Sequence, residues 1–324
     1  MKVIRVAFIY GESNIFLTGK HFDNTYYHFF MNALKRNNRI QVTYFPTKQV
    51  FDALTLKGKF DIILLWTNYP FGMPEKILNM QKLDIPVIAR IGDPKDAKRS
   101  KKYHHEWKID YYFHFFPESY VKELYPSHIK YKNIIYGLEP SLYQNLTPFN
   151  RRIKNHILNS GAVANLKLAS RLLDKIRNPK FNAMFGYYLR TKCNELPYVD
   201  YTSTLQHEYV NDRYPLLLQK YRAAIAASSD APTIKYWEIP AAGCLTFMEM
   251  TDFNRGKEIL DFVDGESAIF IDLKNYKARF EEYLADQDNP KWAKIAESGR
   301  KIAIEKYNND KGVDSLIDLM ETLL

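Results

Sequence analysis

Cysteine is nearly absent from this sequence. The 324 residues include only two, Cys193 and Cys244, which are far apart and form no CxxC pair. This scarcity argues against a disulfide framework and against a cysteine-based zinc site. Long apolar runs are missing too, since no window approaches the roughly 18 residues of a membrane span. The opening residues, MKVIRVAFIYGES, lack the apolar core of a signal peptide. We therefore expect a cytoplasmic protein that begins with a β-strand.

The common signatures of nucleotide-binding and hydrolytic enzymes are also missing. The sequence contains no GxGxxG, GxxxxGK(S/T), HExxH, GxSxG or EF-hand spacing. The lack of a glycine fingerprint argues in particular against a dinucleotide-dependent oxidoreductase, because that fingerprint lets the backbone approach the pyrophosphate.

What is present is the composition of a soluble globular protein, with 46% hydrophobic and 26% charged residues. The positive charge is concentrated in the first half. Residues 1–150 hold 21 Lys and Arg against 13 Asp and Glu, whereas residues 151–324 hold 25 against 24. This asymmetry indicates an anionic partner for the first half. A lysine-rich proteome would produce the same excess, and the sequence leaves both explanations open.

The first half alternates between strand and helix patterns. Phe60–Trp66 (FDIILLW) is almost continuously apolar, as expected for a strand that is buried on both faces of a parallel sheet. Pro74–Lys82 reads as a helix with a proline near its start. The other predicted strands are Lys2–Tyr10, Arg39–Phe45, Pro86–Ile91, Tyr111–Phe115 and Ile134–Tyr136, and the other predicted helices are Phe22–Asn37 and Ser119–Leu124.

The alternation breaks over Gly137–Arg152, which has two prolines and little periodicity, and then resumes. We therefore predict an α/β protein of two Rossmann-like domains, residues 1–140 and 153–306, with a last helix in 307–324. Predicted elements of the second half include Ile153–Gly161, Leu166–Arg177, Ala183–Tyr188, Tyr214–Lys220, Tyr221–Ala227, Thr233–Ala242, Cys244–Met248 and Pro290–Lys306.

The segment Asp230–Glu249 (DAPTIKYWEIPAAGCLTFME) carries the clearest chemistry. The amides of Thr233, Ile234 and Lys235 open a predicted helix, where backbone N–H groups favour a diphosphate. Lys235 adds a point charge for the same phosphates. Glu238 lies about one turn further and has two acceptor oxygens suited to a vicinal diol. Gly243 is placed to end the helix.

This segment resembles the donor-binding core of GT-B glycosyltransferases, and most closely those related to retaining family-4 enzymes and CgeB-like proteins. The family pattern falls here on Lys235, Trp237, Glu238, Ala241, Gly243 and Glu249. The resemblance covers most of residues 134–324. It implies a UDP- or GDP-sugar co-substrate without another cofactor or a metal, and a Glu238 that binds the ribose. Many family members carry a second glutamate, eight residues before the ribose-binding one, that contacts the donor. At that position this sequence has the shorter Asp230.

The resemblance also implies an architecture and a reaction. A cleft would separate an N-terminal acceptor domain from a C-terminal nucleotide-sugar domain, and the last helix would return to the first domain. Sugar transfer would retain the anomeric configuration, with the leaving diphosphate assisting and no enzymic nucleophile.

Further candidate residues follow strand ends, where α/β folds bind ligands. Gly161, with Arg171 or Lys167 beyond it, is placed near the diphosphate, and Arg190 and Tyr201 could line a base pocket. In the first half the candidates for the acceptor side are Gly11, Glu12 and Ser13. Asp93 and His114 are candidates to orient an acceptor hydroxyl.

The run Lys95–Lys108 (KDAKRSKKYHHEWK) is the densest basic segment. It would suit a saccharide acceptor that is lipid-linked or otherwise anionic, peripheral contact with an anionic membrane, or nucleic acid. A solvated loop explains it equally well. Two alternatives to the main hypothesis therefore stay open, a DNA-modifying sugar transferase and a non-catalytic nucleotide- or sugar-binding protein.

Overall fold

The computed structural model describes residues 3–12, 28–70, 72–92, 97–164, 167–177, 186–202 and 213–324. The chain divides into two compact units. The first comprises Met1–Gly137 and Asn309–Leu324, and the second comprises Leu138–Asn308.

The first unit is built on parallel strands connected through helices. Its elements are β1 (Ile4–Gly11), α1 (His28–Arg36), β2 (Ile40–Thr47), β3 (Val50–Asp52), β4 (Ile62–Leu65), β5 (Lys76–Leu78), β6 (Val87–Arg90), α2 (Ala97–Glu106), β7 (Tyr111–His114), α3 (Glu118–Leu124) and β8 (Tyr131–Asn133). Six strands form one sheet in the order β2-β1-β4-β6-β7-β8, and β3 pairs with β5 separately. Every pairing is parallel.

The central strands of this sheet are apolar because both of their faces are covered. All four residues of β4 are buried, and β1 buries Val6, Ala7, Phe8 and Ile9. Aromatic rings extend the core beyond the strands, and the ring centroid of Phe30 in α1 lies 4.9 Å from that of Tyr136. The abundance of Tyr and Phe in the sequence is thus partly explained by core packing.

The second unit repeats the alternation. Its elements are β9 (Ile153–Ser160), α4 (Leu168–Arg177), α5 (Tyr188–Cys193), β10 (Val199–Thr202), α6 (Tyr214–Leu218), β11 (Tyr221–Ala226), α7 (Lys235–Ala241), β12 (Leu245–Glu249), β13 (Ile269–Ile271), α8 (Tyr276–Ala285) and α9 (Pro290–Lys306). The sheet order is β10-β9-β11-β12-β13, again parallel throughout.

One hydrophobic core covers a face of this second sheet. Ile157, Ile225 and Phe247 project from β9, β11 and β12, and Phe280 and Trp292 pack on them from α8 and α9. Because side chains alternate along a strand, Glu249, which is two residues after Phe247 and ends β12, lies on the same face at the carboxyl edge of the sheet. The functional candidates of the second half lie at that edge.

The last helix, α10 (Asn309–Glu321), packs within the first unit. Asp310 pairs with Arg36 at 2.7 Å, and Arg39 pairs with Asp318 and Glu321 at 2.7 and 3.0 Å. Gly312 allows the close approach, because a Cβ there would lie 2.4 Å from the Ile135 carbonyl oxygen. Small size at that position therefore decides whether the helix can dock.

The predicted α/β class with two Rossmann-like sheets is confirmed, but two element predictions are wrong. Lys76–Leu78, inside the helix predicted over Pro74–Lys82, is a strand that pairs with β3. The strand predicted over Ile134–Tyr136 lies earlier in the chain, as β8, which ends at Asn133. Ile134–Tyr136 themselves have no regular secondary structure. Ile134 and Tyr136 are nevertheless fully buried, which explains their apolar pattern.

The solvated loop that was one alternative for Lys95–Lys108 is also wrong, because Ala97–Glu106 forms α2 and Trp107 is buried. Other element predictions correspond to the structure within a few residues. The predicted segment Ala183–Tyr188 lies mostly outside the described residues, as does the start of Phe22–Asn37. Both cysteines are buried and unpaired. Among the described residues, no helix is long and apolar enough to span a membrane.

Candidate functional site

Gly161 follows β9 and adopts a backbone φ of +107°, which L side chains rarely tolerate. The space at this position is also occupied. A Cβ would lie 2.8 Å from Lys235 Nζ and 3.1 Å from Arg190 Nη1. Two cationic side chains from distant parts of the chain therefore converge on the backbone of Gly161. Gly161, Arg190 and Lys235 are called the Gly161 cluster below.

Lys235 is the first residue of α7, and its ammonium group points to the end of β9. Nζ donates a 2.9 Å hydrogen bond to Ser160 Oγ and lies 5.1 Å from the ring centroid of Tyr214. Burial and the positive charge of Arg190 lower the pKa of Lys235 to about 7, against the opposing effect of Glu238. An anion bound here would favour the charged ammonium.

Arg190 lies on α5 and is almost fully buried. Nη1 donates to the Ala162 carbonyl oxygen at 3.0 Å, and Nη2 donates to the Ala227 carbonyl oxygen. Nε has no partner among the described residues. These bonds fix the guanidinium between the ends of β9 and β11. No carboxylate of the described residues forms a hydrogen bond with Arg190 or Lys235, although the charge of Glu238 acts on Lys235 and that of Arg190 acts on Glu249.

Glu238, one turn into α7, is also buried. Tyr143 donates a 3.4 Å hydrogen bond from its hydroxyl to Oε1 of Glu238. Burial raises the pKa of the Glu238 carboxyl to about 7, while Lys235 and the Tyr143 hydrogen bond act in the opposite direction. Arg300 Nη2 donates a 2.9 Å hydrogen bond to the backbone carbonyl oxygen of Tyr143. The carboxylate is thus positioned by residues outside α7.

The helix α7 is shorter than the predicted Thr233–Ala242. Its first backbone donor is Tyr236, which bonds to Thr233 O at 2.9 Å, followed by Trp237 and Glu238, which both bond to Ile234 O at 3.1 and 2.9 Å. The amides of Thr233, Ile234 and Lys235 therefore precede the hydrogen-bonded turns. Gly243 ends the helix with a φ of +71°, as the sequence indicated.

Asp230 shapes the loop between β11 and α7. Its Oδ1 accepts hydrogen bonds from Ser228 Oγ at 3.1 Å and from the Ala231 amide at 3.0 Å. Gly186 lies close, since a Cβ there would be 3.8 Å from the carboxylate. The short side chain suits this local role, in which it orders the turn before Pro232.

The structure separates His114 from the solvent. It is the last residue of β7, is 2% exposed, and stacks on Phe116 with ring centroids 4.0 Å apart. Arg90 Nη1 donates to Nε2 at 3.3 Å, and Nδ1 has no partner among the described residues. Burial and the Arg90 charge hold the pKa of His114 well below its ordinary value. A neutral imidazole is therefore placed at the carboxyl edge of the first sheet.

Gly11 and Glu12 lie at the same edge of the first sheet. Gly11 donates its amide to the Gly72 carbonyl oxygen at 2.8 Å, and a Cβ would meet Met73 O at 2.9 Å. This close backbone approach accounts for the glycine. Glu12 is exposed. Ser13 and Asp93 lie outside the described residues, as does the side chain of Arg171.

Of the sequence-based candidates, the structure brings Gly161, Lys235 and Glu238 together at the β9 and β11 ends. Sequence reasoning assigned Arg190 only to a base pocket, although it lies beside Gly161 and Lys235. Tyr201, given the same assignment, donates its hydroxyl to Gly161 O at 2.8 Å. The described residues contain no group of three His, Cys, Asp or Glu that could hold a metal ion.

No protein-family model matches the chain, and no curated protein matches its sequence. Solved structures do match. The sucrose-phosphate synthase of Thermosynechococcus elongatus gives a TM-score of 0.60 at 10% identity, with 99% of both chains covered. An α-glucosyltransferase solved with UDP-glucose and DNA containing an abasic site gives 0.59 at 10%, with 99% of this chain and 100% of that chain covered.

HepE from Anabaena, solved with UDP, gives a TM-score of 0.55 at 11% identity, over 98% of this chain and 100% of that chain. The likeness extends over nearly the whole length of each protein at very low identity. It establishes the fold: the chain has the GT-B fold that its sequence predicted.

Proposed function

We propose that this protein is a glycosyltransferase that moves a sugar from a UDP- or GDP-sugar to an acceptor hydroxyl. The observation that carries the proposal is the Gly161 cluster, in which Lys235 and Arg190 meet over a glycine backbone at the carboxyl edge of the second sheet. In open parallel sheets, ligands bind outside that edge. The GT-B fold, shared with enzymes solved with UDP or UDP-glucose, supports the same conclusion.

The diphosphate of the donor is the ligand part that suits the cluster. Burial lowers the pKa of Lys235, and repulsion from the positive charge of Arg190 lowers it further. A diphosphate neutralises both charges and accepts charge-assisted hydrogen bonds from them. The same contacts stabilise the negative charge that develops as the sugar leaves, so no enzymic nucleophile is required.

Glu238 is proposed to bind the ribose. It follows Lys235 by three residues on α7, so both side chains project from the same region of the helix. A carboxylate accepts hydrogen bonds from both hydroxyls of a vicinal diol. Asp230, which is engaged in its own loop, is assigned to the donor side through the position of that loop. Retention of the anomeric configuration follows from the resemblance to family-4 enzymes and is part of the proposal.

A thermal-shift panel of UDP-, GDP-, ADP- and CMP-sugars tests donor binding. A ligand at 100 times its Kd adds about 2.7 kcal/mol, which corresponds to a shift of about 5–10 °C for a unit of this size. We expect one nucleotide class to stabilise the protein and to be consumed when an acceptor mixture is added. Stabilisation without any sugar transfer or donor hydrolysis would favour the non-catalytic alternative, and no shift with any donor would reject the proposal.

The variants Glu238→Gln and Lys257→Met sharpen this test. Glu238→Gln removes the charge beneath the proposed ribose site, and we expect a donor affinity about tenfold weaker. Lys257 is an exposed lysine of the same unit outside the Gly161 cluster. Its variant should bind donors as the unaltered protein does.

Nucleic acid is the second candidate acceptor. The basic excess of residues 1–150 favours it, and one structural relative was solved with DNA. Duplex binding that weakens steeply between low and moderate salt, measured by fluorescence polarisation, is the expected result for this candidate. Salt-independent or absent binding favours a saccharide acceptor.

A further inference from the structure

A cavity of about 430 Å³ opens in the second unit, at the carboxyl ends of β12 and β13. Glu249, Phe253 and Leu273 are among the residues that line it, together with Tyr188 of α5 and Ser229 after β11. No residue of the Gly161 cluster lines it. The cavity therefore has a lining of its own beside the proposed diphosphate site, and Arg190 is near enough to act on the pKa of Glu249.

Glu249 is a buried carboxylate in the lining of this cavity. It is the last residue of β12 and is only 4% exposed. Ser229 Oγ donates to Oε1 at 3.1 Å, whereas Oε2 has no hydrogen-bond partner among the described residues. Burial raises the pKa of this carboxyl to about 7. A buried oxygen without a donor costs free energy that a ligand hydroxyl would recover.

Other polar side chains of the lining are already engaged in local structure. Thr251 Oγ1 accepts from the Asn254 amide at 3.1 Å. Asp272 Oδ1 accepts from the amides of Lys274 and Asn275 at 2.7 and 2.9 Å. Glu249 Oε2 is thus a buried acceptor in this lining that has no hydrogen-bond partner among the described residues.

The walls of the cavity are apolar. Phe253 and Leu273 are 54% and 51% exposed, which is high for large apolar side chains, and Tyr188 adds a second aromatic ring. A ligand that matches these walls has an apolar face, and it also needs hydroxyl donors for the carboxyl. The charged side chains of the lining are those of Glu249, Asp272 and Lys274.

We propose that this cavity is a saccharide subsite that takes one pyranose ring, with a ring hydroxyl donating to Glu249 Oε2 and the C–H face packing on Phe253. A pyranose combines hydroxyl donors at its rim with an apolar face, which is the combination that the lining presents. The proposal goes beyond the donor reaction and does not rest on it, because a free sugar needs no nucleotide to enter this cavity.

The test is saturation-transfer NMR with methyl glycosides of glucose, galactose, mannose and N-acetylglucosamine, in the absence of nucleotide. We expect at least one to bind the unaltered protein. Phe253→Ala removes the packing surface, and Glu249→Gln replaces the carboxyl group with an amide. Each should weaken that binding up to about tenfold.

Two further variants serve as controls. Val263→Ala truncates an exposed apolar side chain outside the cavity and should leave glycoside binding unchanged. Lys235→Met removes the proposed diphosphate contact and should also bind the glycoside normally. The failure of one proposal is therefore distinguishable from the failure of the other. The Phe253 ring is half exposed, so we expect Phe253→Ala to fold. Phe253→Ala therefore still tests the site if Glu249→Gln does not fold.

Three results would overturn the subsite. The first is that none of the glycosides binds. The second is binding that neither Phe253→Ala nor Glu249→Gln weakens. The third is binding of uridine, and of no glycoside, that is sensitive to both substitutions, because it would make the cavity a nucleoside site.

Discussion

Gly161 is the residue on which the candidate site depends most. Its φ of +107° strains any L side chain, and a Cβ at this position would displace the ends of the Lys235 and Arg190 side chains, which lie 2.8 and 3.1 Å from it. Gly161→Ala should therefore cost about 1–3 kcal/mol through backbone strain and should also displace Lys235 from the ligand. Urea unfolding measures the stability, and calorimetry with UDP measures the binding.

Gly265 provides the matched control for that substitution. It has a φ of +75°, but a Cβ added there would meet open space. Gly265→Ala should cost a similar amount of stability, about 1–2 kcal/mol, with UDP affinity unchanged. Equal UDP affinity in both variants would mean that Gly161 does not support a ligand site.

The lowered pKa of Lys235 leads us to expect proton uptake when a diphosphate ligand binds. Its pKa of about 7 leaves the ammonium largely deprotonated above pH 7. A bound diphosphate favours the charged form and raises this pKa, so protons should be taken up as UDP binds above pH 7. The binding enthalpy should then depend on the ionisation enthalpy of the buffer. A buffer-independent enthalpy would contradict the assignment.

The raised pKa of Glu249 should make the stability of the folded protein depend on pH. Its folded pKa of about 7 lies above the ordinary value of 4.5. Between these values the unfolded chain loses the proton while the folded chain keeps it, so the free energy of unfolding falls as pH rises. Glu249→Gln should remove this decrease, on the order of 3 kcal/mol, from denaturant curves measured across that range. Parallel pH profiles for the two proteins would contradict the prediction.

The sequence predicted Lys235, Glu238 and Gly161 because they lie within recognisable local patterns. Arg190 could not be assigned in the same way. It is 45 residues before Lys235 in the chain, and only the packing of α5 across the end of β11 brings its guanidinium to Gly161. A buried arginine beside an apolar run is a weak signal in sequence, because most arginines are exposed.

At the scale of elements, apolar patterning predicted the buried strands well. The run that forms β4 is buried on both faces, so its composition alone identifies it. The short strand β5 was missed because three residues after a proline carry no periodicity, and only pairing with β3 defines them. Tertiary contact, which a local pattern does not contain, decided that segment.

The docking of α10 gives a prediction at this scale. Gly312 lies against the Ile135 carbonyl oxygen, so Gly312→Ala forces the helix away despite the better helix propensity of alanine. We expect a loss of about 1–3 kcal/mol by urea unfolding. Ser315→Ala on the same helix is the control and should change stability by less than about 0.5 kcal/mol. Equal stability of the two variants would show that α10 does not pack as described.

At the scale of the whole molecule, the alternation of strands and helices carried the fold prediction. The chain keeps only 10% identity to the sucrose-phosphate synthase that it matches over 99% of its length. A parallel sheet needs apolar strands at regular spacing and tolerates most substitutions that keep them apolar. The ligand chemistry, by contrast, rests on a few residues, so it has to be argued from the site rather than from the fold.

The central claim is that the Gly161 cluster binds the diphosphate of a nucleotide. The most direct measurement compares the Kd of UDP with that of uridine, by calorimetry, in the unaltered protein and in Lys235→Met. We expect UDP to bind more tightly than uridine, and Lys235→Met to weaken UDP by about 10- to 100-fold while uridine is unchanged. GDP and guanosine replace them if the donor panel selects guanine. Equal affinities for nucleotide and nucleoside, or a UDP affinity that Lys235→Met leaves intact, would contradict the claim.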